Sequence, residues 1–469
     1  MKPPPDEAVE TRPLFRNMAI ARLGVGVGLR FGGHLLANAL RGDSERLSAD
    51  QRFYARQARA LASELGRLKG SAMKAGQLLA LLGQNVLPDE ALATLSQLNE
   101  MSRPVPWSAL APAVRRALGR EAMAQLEFDE TPIGAASLGQ VHRARRRSDG
   151  AQLCFKIQYP GVAEAIDSDV QSLGRLLLLS RIAPHDLDLN PLLGELRRLL
   201  HHEADYARER EFTEEYARRL AGDGRFVVPR VYPEYCSARV LAMSYEEGLP
   251  VQDEAVQALP LERRNRFAAA LIELFLTEFF DWGLVQTDSN FGNFRFRMAP
   301  DGDRIVLLDF GACRRFGAGF VDGYRDIVLG ALLRDTPRVV RGSIHLRMLR
   351  PELPQDIYDG YARACQIIVE PFADHARDGT PQRLLNEHGA YVWRGSDLLS
   401  RASAATAANA MTVHFRLPPP ELVFLNRRLM GMFALLGALG AELNPRAVLL
   451  RALGVDPLTQ VNGKKGDIP

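Results

Sequence analysis

Cysteine is scarce in this chain: Cys154, Cys236, Cys313 and Cys365 lie far apart and form no Cys-x-x-Cys pair. That spacing excludes a cysteine zinc site of the usual kind, and the four read as reduced thiols of a cytoplasmic protein. Net charge is also nearly absent, at +3 from 59 basic and 56 acidic residues, so nothing marks a nucleic-acid binder. Neither of the two apolar stretches is long enough to span a bilayer, which takes ~18 or more uninterrupted residues. Phe15 to Ala39 is broken by Arg16, Arg22, Arg30 and His34, and Leu429 to Ala441 reads as a short buried helix bounded by Arg428 and Glu442. The first stretch lacks the pattern of a secretory signal. An interfacial helix over residues 13–41, its arginines among lipid headgroups, stays open, although Gly24, Gly26, Gly28, Gly32 and Gly33 weaken it in water.

What the chain does have is concentrated near residue 300. Gln286-Thr287-Asp288-Ser289-Asn290-Phe291-Gly292-Asn293 is followed by Leu307-Leu308-Asp309-Phe310-Gly311. An Asp with an Asn five residues on, and then Asp-Phe-Gly after an apolar strand, is the set that protein kinases place around metal-bound ATP. Mg²⁺ is a hard cation that takes oxygen ligands, which Asp309 and the amide oxygen of Asn293 can supply. Asp288 is then the residue beside the attacking oxygen, as proton acceptor or orienter.

Upstream, Pro132 to His142 is a run of small residues, and Ser148-Asp149-Gly150 marks a hairpin before Ala151 to Gln158. Gly134, Ala135, Ala136, Ser137, Gly139 and Gln140 are the candidate phosphate-cradling loop, since small side chains let backbone N–H groups approach an anion. Lys156 on the next strand faces a cleft and needs a partner. Glu209, in the helix-like run Leu196 to Leu220, is the candidate. Val240 to Gly248 reads as a strand and hinge, whose Glu246 and Glu247 would meet the adenine. The 53 residues from Lys156 to Glu209 must hold helices of their own. The cluster Arg143 to Arg147 reads as solvent-facing. After Asp-Phe-Gly a helix starts almost at once, with no Ala-Pro-Glu stop, which argues against ordinary docking of a protein substrate.

With Lys74-Ala75-Gly76-Gln77, Gly134-Ala135-Ala136-Ser137, Glu203-Ala204-Asp205 and Gln286-Thr287-Asp288-Ser289-Asn290 in order, the chain resembles the UbiB (AarF-type) family of atypical protein-kinase-like proteins over residues 50–455. Three departures stand out: Gly134 where the family has Ala, Ser289 where it has Pro, and Phe212 where an Asn often follows the glutamate. The resemblance implies an α+β, atypical bilobal protein-kinase-like fold with an N-terminal helical extension and a helical insertion in the N-terminal lobe. The expected division is a partly disordered segment (1–50), the extension (51–120), the N-terminal lobe (121–247), the C-terminal lobe (248–458) and a tail (459–469). It further implies that the extension crosses the nucleotide cleft with Lys74 and Gln77, three apart and so on one helix face, as regulatory residues. Glu203 would reach toward Lys74, while Asp205 and Glu209, four apart, would share the nucleotide side. The implied function is an Mg-ATP-dependent kinase or ATPase. It would support isoprenoid-quinone biosynthesis or related lipid metabolism, peripheral on an inner membrane, with a lipid, a quinone precursor or quinone-biosynthesis enzymes as partners. A small-molecule phosphotransferase and a non-catalytic nucleotide-gated scaffold remain the alternatives.

Overall fold

The computed structural model describes residues 74–76, 78–79, 104–135, 138–180, 189–398, 400–402, 404–405 and 419–456. The N-terminal segment 1–50, where an interfacial helix is an open expectation, most of the extension 51–120, Gln77, Ala136, Ser137 and the tail 459–469 lie outside the described residues. The chain divides into two compact units. Described residues up to Glu215 join Pro229–Tyr245 in the first, and Tyr216–Val228 joins the residues from Glu246 onward in the second.

In the first unit, α1 (Trp107–Ala124) leads into β1 (Leu126–Ala135), β2 (Gly139–Arg146) and β3 (Gln152–Gln158). Helices α2 (Val162–Ser180), α3 (Asn190–Glu203) and α4 (Tyr206–Arg219) follow. After β4 (Phe226–Val227), which belongs to the second unit, β5 (Val240–Ser244) completes an antiparallel sheet in the order β1-β2-β3-β5. Strand alternation buries Leu153, Phe155 and Ile157 on one face of β3, which leaves Cys154 and Lys156 on the other. The turn between β2 and β3 closes through Arg146 N–H to Ala151 O at 2.9 Å, with Gly150 at φ +73°.

Two sequence expectations are corrected here. The run Leu196 to Leu220 is not one helix, because α3 ends at Glu203 and α4 begins at Tyr206. Asp205 makes the break: its Oδ1 accepts the Arg208 N–H at 3.0 Å, which caps α4, and its side chain is exposed. Asp205 and Glu209 therefore do not share an environment. The arginine cluster is not uniformly solvent-facing either. The Arg143 guanidinium lies 3.8 Å from the Tyr245 ring centroid and Arg146 5.1 Å from that of Tyr232, while Arg145 and Arg147 stay exposed.

In the second unit, β4, β7 (Phe294–Arg297) and β8 (Arg304–Leu307) form a sheet in the order β4-β8-β7, and β6 (Leu284–Gln286) pairs with β9 (Cys313–Arg315). Its helices include α5 (Leu261–Phe280), α6 (Ala318–Leu332), α7 (Thr336–His345), α8 (Gln355–Val369), α9 (Pro420–Leu439) and α10 (Arg446–Ala452). Residues 216–228, expected in the N-terminal lobe, belong here because β4 pairs with β8 and Tyr216 packs on Phe310 and Trp282. Helix α9 is long and apolar enough to cross a membrane, at mean hydropathy 1.5, yet 56% of that window is buried inside the protein. It reads as a core helix. Arg428, expected to bound an apolar run, instead lies within this helix at 1% exposure.

Candidate functional site

The first unit presents a lysine, a carboxylate and a tight loop. Lys156 Nζ donates to Glu209 Oε1 at 2.6 Å and to Oε2 at 2.8 Å. Glu209 reaches inward because Tyr206, Glu209, Phe212 and Thr213 recur on one buried face of α4 at helical spacing. The pair is drier than a cleft rim: the side chains are 12% and 2% exposed. Removing the lysine alone would strand a buried carboxylate. On the same strand face, burial pushes the Cys154 thiol up to about 12, so it stays protonated and unreactive.

Gly134 and Ala135 end β1 and pair with Val141 and Gln140. A Cβ at Gly139 would lie 2.4 Å from the Ile157 carbonyl oxygen and 2.6 Å from the Tyr206 hydroxyl, whereas one at Gly134 meets nothing closer than Val141 Cβ at 3.9 Å. Gly139→Ala is therefore expected to cost roughly 1–3 kcal/mol, since backbone cannot step aside. Gly134→Ala should stay within about 0.5 kcal/mol. Chemical denaturation of the two variants measures the contrast; equal stabilities would remove the packing account of Gly139.

Gln140, expected at a ligand, has its amide bonded within the protein. It is fully buried, its Oε1 accepts the Val105 N–H at 2.8 Å, and its Nε2 donates to Val105 O at 2.9 Å. Near the N-terminus, Lys74 Nζ lies 2.5 Å from Glu203 Oε1. The described helical residues around it, Ala75, Gly76, Leu78 and Leu79, are buried.

In the second unit, Thr287 and Asp288 follow β6, and Thr287 is tied by its N–H and hydroxyl to Ala312 O at 3.2 and 2.7 Å. The Asn290 side chain accepts the Gly292 N–H at 2.8 Å, which turns the chain so that Asn293 faces back. Asn293 Nδ2 donates to Asp288 Oδ2 at 3.0 Å, which leaves the Asn293 amide oxygen as the group to offer a cation. Asp309 Oδ1 accepts the Gly311 N–H at 2.9 Å, and Leu308 N–H reaches Asn293 O at 2.9 Å, tying the two motifs together. Asn293 and Asp309 line one small cavity with Glu278, Gln286 and Arg428. The donor set is hard oxygen, which suits Mg²⁺ taken up with phosphate. Glu246 is held by Arg297 at 2.7 Å, and the Glu247 carbonyl accepts from Arg297 Nε at 2.8 Å.

Several residues around this constellation escape sequence reasoning. Arg427 Nη2 donates to Asp288 Oδ1 at 2.7 Å across 139 residues of chain. In the lining of the same cavity, Tyr216 donates to Glu278 Oε1 at 3.0 Å, and Arg428 Nη2 stands 3.5 Å from Glu278 Oε2. No spacing motif connects them.

A family model described as the ABC1 atypical kinase-like domain matches residues 97–343. The chain is 30% identical over 440 residues to "Atypical kinase COQ8B, mitochondrial" of Rattus norvegicus, covering 93% of this chain and 80% of that one. It is 31% identical over 389 residues to "Atypical kinase COQ8, mitochondrial" of Saccharomyces cerevisiae, covering 82% and 74%. Among solved structures, that of Rv3197 with erythromycin, from Mycobacterium tuberculosis, is similar at TM-score 0.56 and 25% identity, over 87% of this chain and 98% of that one.

Proposed function

Because the chain belongs to the ABC1 family of atypical kinase-like proteins, we propose that it binds Mg-ATP and hydrolyses it slowly, in support of isoprenoid-quinone biosynthesis or related lipid metabolism at a membrane surface. The observation that carries the nucleotide reading is the paired geometry of Asp288, Asn293 and Asp309, an oxygen donor set beside a held carboxylate. Mg²⁺ would be held by Asn293 and Asp309 and would neutralise charge on the phosphates. Lys156, fixed by Glu209, is suited to the α- and β-phosphates. Gly134, Ala135 and Gly139 belong to the loop over those phosphates, and Glu246 and Glu247 to the hinge that receives the adenine. Asp288 orients the attacking oxygen. Its two carboxylate oxygens already accept from Arg427 and Asn293, which supports slow turnover over vigorous proton abstraction. The Lys74–Glu203 pair supports a regulatory role for the extension. The quinone link rests on the motif resemblance and on relatives named COQ8.

The test is phosphate release from ATP by purified protein, with and without Mg²⁺, anionic liposomes and a phenolic quinone precursor. Slow, Mg²⁺-dependent release stimulated by the last two is the expected outcome; no release under any condition removes the ATPase reading. A companion variant, Lys156→Met with Glu209→Gln, removes both charges of the dry pair together. We expect it to fold and to bind ATP at least about tenfold more weakly, as a lost charge-assisted contact of about 1.4 kcal/mol or more requires. Unchanged ATP affinity would leave the pair a purely structural one.

A further inference from the structure

Helix α9 reaches the loop at two points. Arg427 Nη2 holds Asp288 Oδ1 at 2.7 Å while Asn293 Nδ2 holds Oδ2 at 3.0 Å, so the carboxylate is gripped at both oxygens. One turn along the helix, Gly431 lies so near the loop that a Cβ there would fall 1.9 Å from Ser289 Cβ. A side chain of any size at 431 would push the loop away. Between Asp288 and Asn293 stand Ser289, Asn290, Phe291 and Gly292, none of them a cation. The loop has no positive charge of its own to set beside Asp288. A pair whose side chains are 34% and 24% exposed adds little to folding, so stability does not explain the contact.

We propose that Arg427 is a positioning residue of the phosphoryl-transfer loop, delivered by a helix beyond the matched span 97–343, with Gly431 as the notch that lets the helix come close. It locks the Asp288 rotamer and brings the positive charge that residues 289–292 lack. This rests on the Mg-ATP reading above. In that reaction a water oxygen bonds the γ-phosphorus as the bond to the ADP oxygen breaks, and the water proton passes to solvent. Asp288 must point its carboxylate at that water, and misplacement by about 1 Å costs on the order of 100-fold in rate.

The experiment compares the full chain with Arg427→Gln, Arg427→Lys, Gly431→Ala and, as control, Glu421→Ala in the exposed first turn of α9. Phosphate release, melting temperature and hydrogen exchange over residues 286–294 are measured for each. Arg427→Gln should lower kcat by about 100-fold with KM for ATP within about threefold, speed exchange in the loop and leave the melting temperature in place. Arg427→Lys should recover part of kcat, because it restores charge without the planar fork. Gly431→Ala should lower kcat as well, and Glu421→Ala should match the unmodified chain. Unmodified kcat in Arg427→Gln, or a loss that only follows loss of folded protein, overturns the proposal. If the unmodified chain neither binds nor hydrolyses Mg-ATP, the nucleotide reading falls, and the exchange comparison decides Arg427 by itself: no change in loop exchange overturns its positioning role.

Discussion

Asp309→Asn is expected to abolish the part of ATP stabilisation that depends on Mg²⁺. A ligand at 100 times its Kd stabilises by about 2.7 kcal/mol, which for a protein unit of this size raises the melting temperature by about 5–10 °C. The substitution is nearly isosteric, and its amide oxygen can still accept the Gly311 N–H that Asp309 Oδ1 takes at 2.9 Å. The turn is thereby kept while the formal charge that attracts a divalent cation is lost. The measurement is a thermal scan of both proteins with ATP and Mg²⁺, and with ATP and EDTA. The unmodified chain should show the shift only with Mg²⁺, and the variant in neither condition. A shift of the same size in EDTA, or one retained by Asp309→Asn, would falsify the metal assignment.

Breaking the Arg428–Glu278 pair is expected to have the largest effect on stability. Both side chains are 1% exposed, with charges 3.5 Å apart, and the guanidinium lies 5.3 Å from the Phe294 ring centroid and 5.9 Å from that of Phe275. Removing one member of a buried pair costs roughly 3–5 kcal/mol when the other stays ionised, so the loss in Arg428→Ala is expected to be largest above about pH 7, where the Glu278 carboxyl is ionised in the unmodified chain. Arg428→Ala should therefore unfold at markedly lower denaturant concentration. Replacing both by apolar residues of similar volume, Arg428→Met with Glu278→Leu, should recover much of the loss. A single variant as stable as the unmodified chain would show the pair to be energetically idle.

The same carboxyl sets a pH dependence. Burial raises the Glu278 carboxyl from its ordinary 4.5 to about 7, against the opposing pull of Arg428 and Tyr216. A raised folded-state value means that between about pH 4.5 and 7 the folded chain keeps a proton that the unfolded chain has released. Its contribution to stability is full below that window, falls by about 1.4 kcal/mol per pH unit within it, and is gone above it. Urea denaturation at pH 5, 6, 7 and 8 should show the difference between unmodified protein and Glu278→Gln changing across that interval and level beyond it. Parallel curves would mean that Glu278 does not titrate there.

By itself the sequence determined what depends on neighbours along the chain. Strand alternation put Lys156 opposite the core face of β3, Asp-Gly marked the turn at Gly150, and the five-residue interval placed Asn293 within reach of Asp288. The α+β kinase-like class came with the family resemblance that the ordered motifs carry. Helical periodicity also aimed Glu209 inward, although it carried the helix too far. Asp205 looked like one more residue of a charged helix, and only its capping bond showed that the chain breaks there. Gln140 read as a ligand residue by its place in the loop, but packing gave both ends of its amide to Val105. The arginine partners of Asp288 and Glu278 were decided by tertiary structure alone. Arg427 and Arg428 are consecutive in one apolar helix, and nothing in their local pattern says that one meets a carboxylate 139 residues away while the other is buried among aromatic rings. Periodicity and turn chemistry act over a few residues, whereas an ion pair between distant segments exists only once the whole core has set their distance.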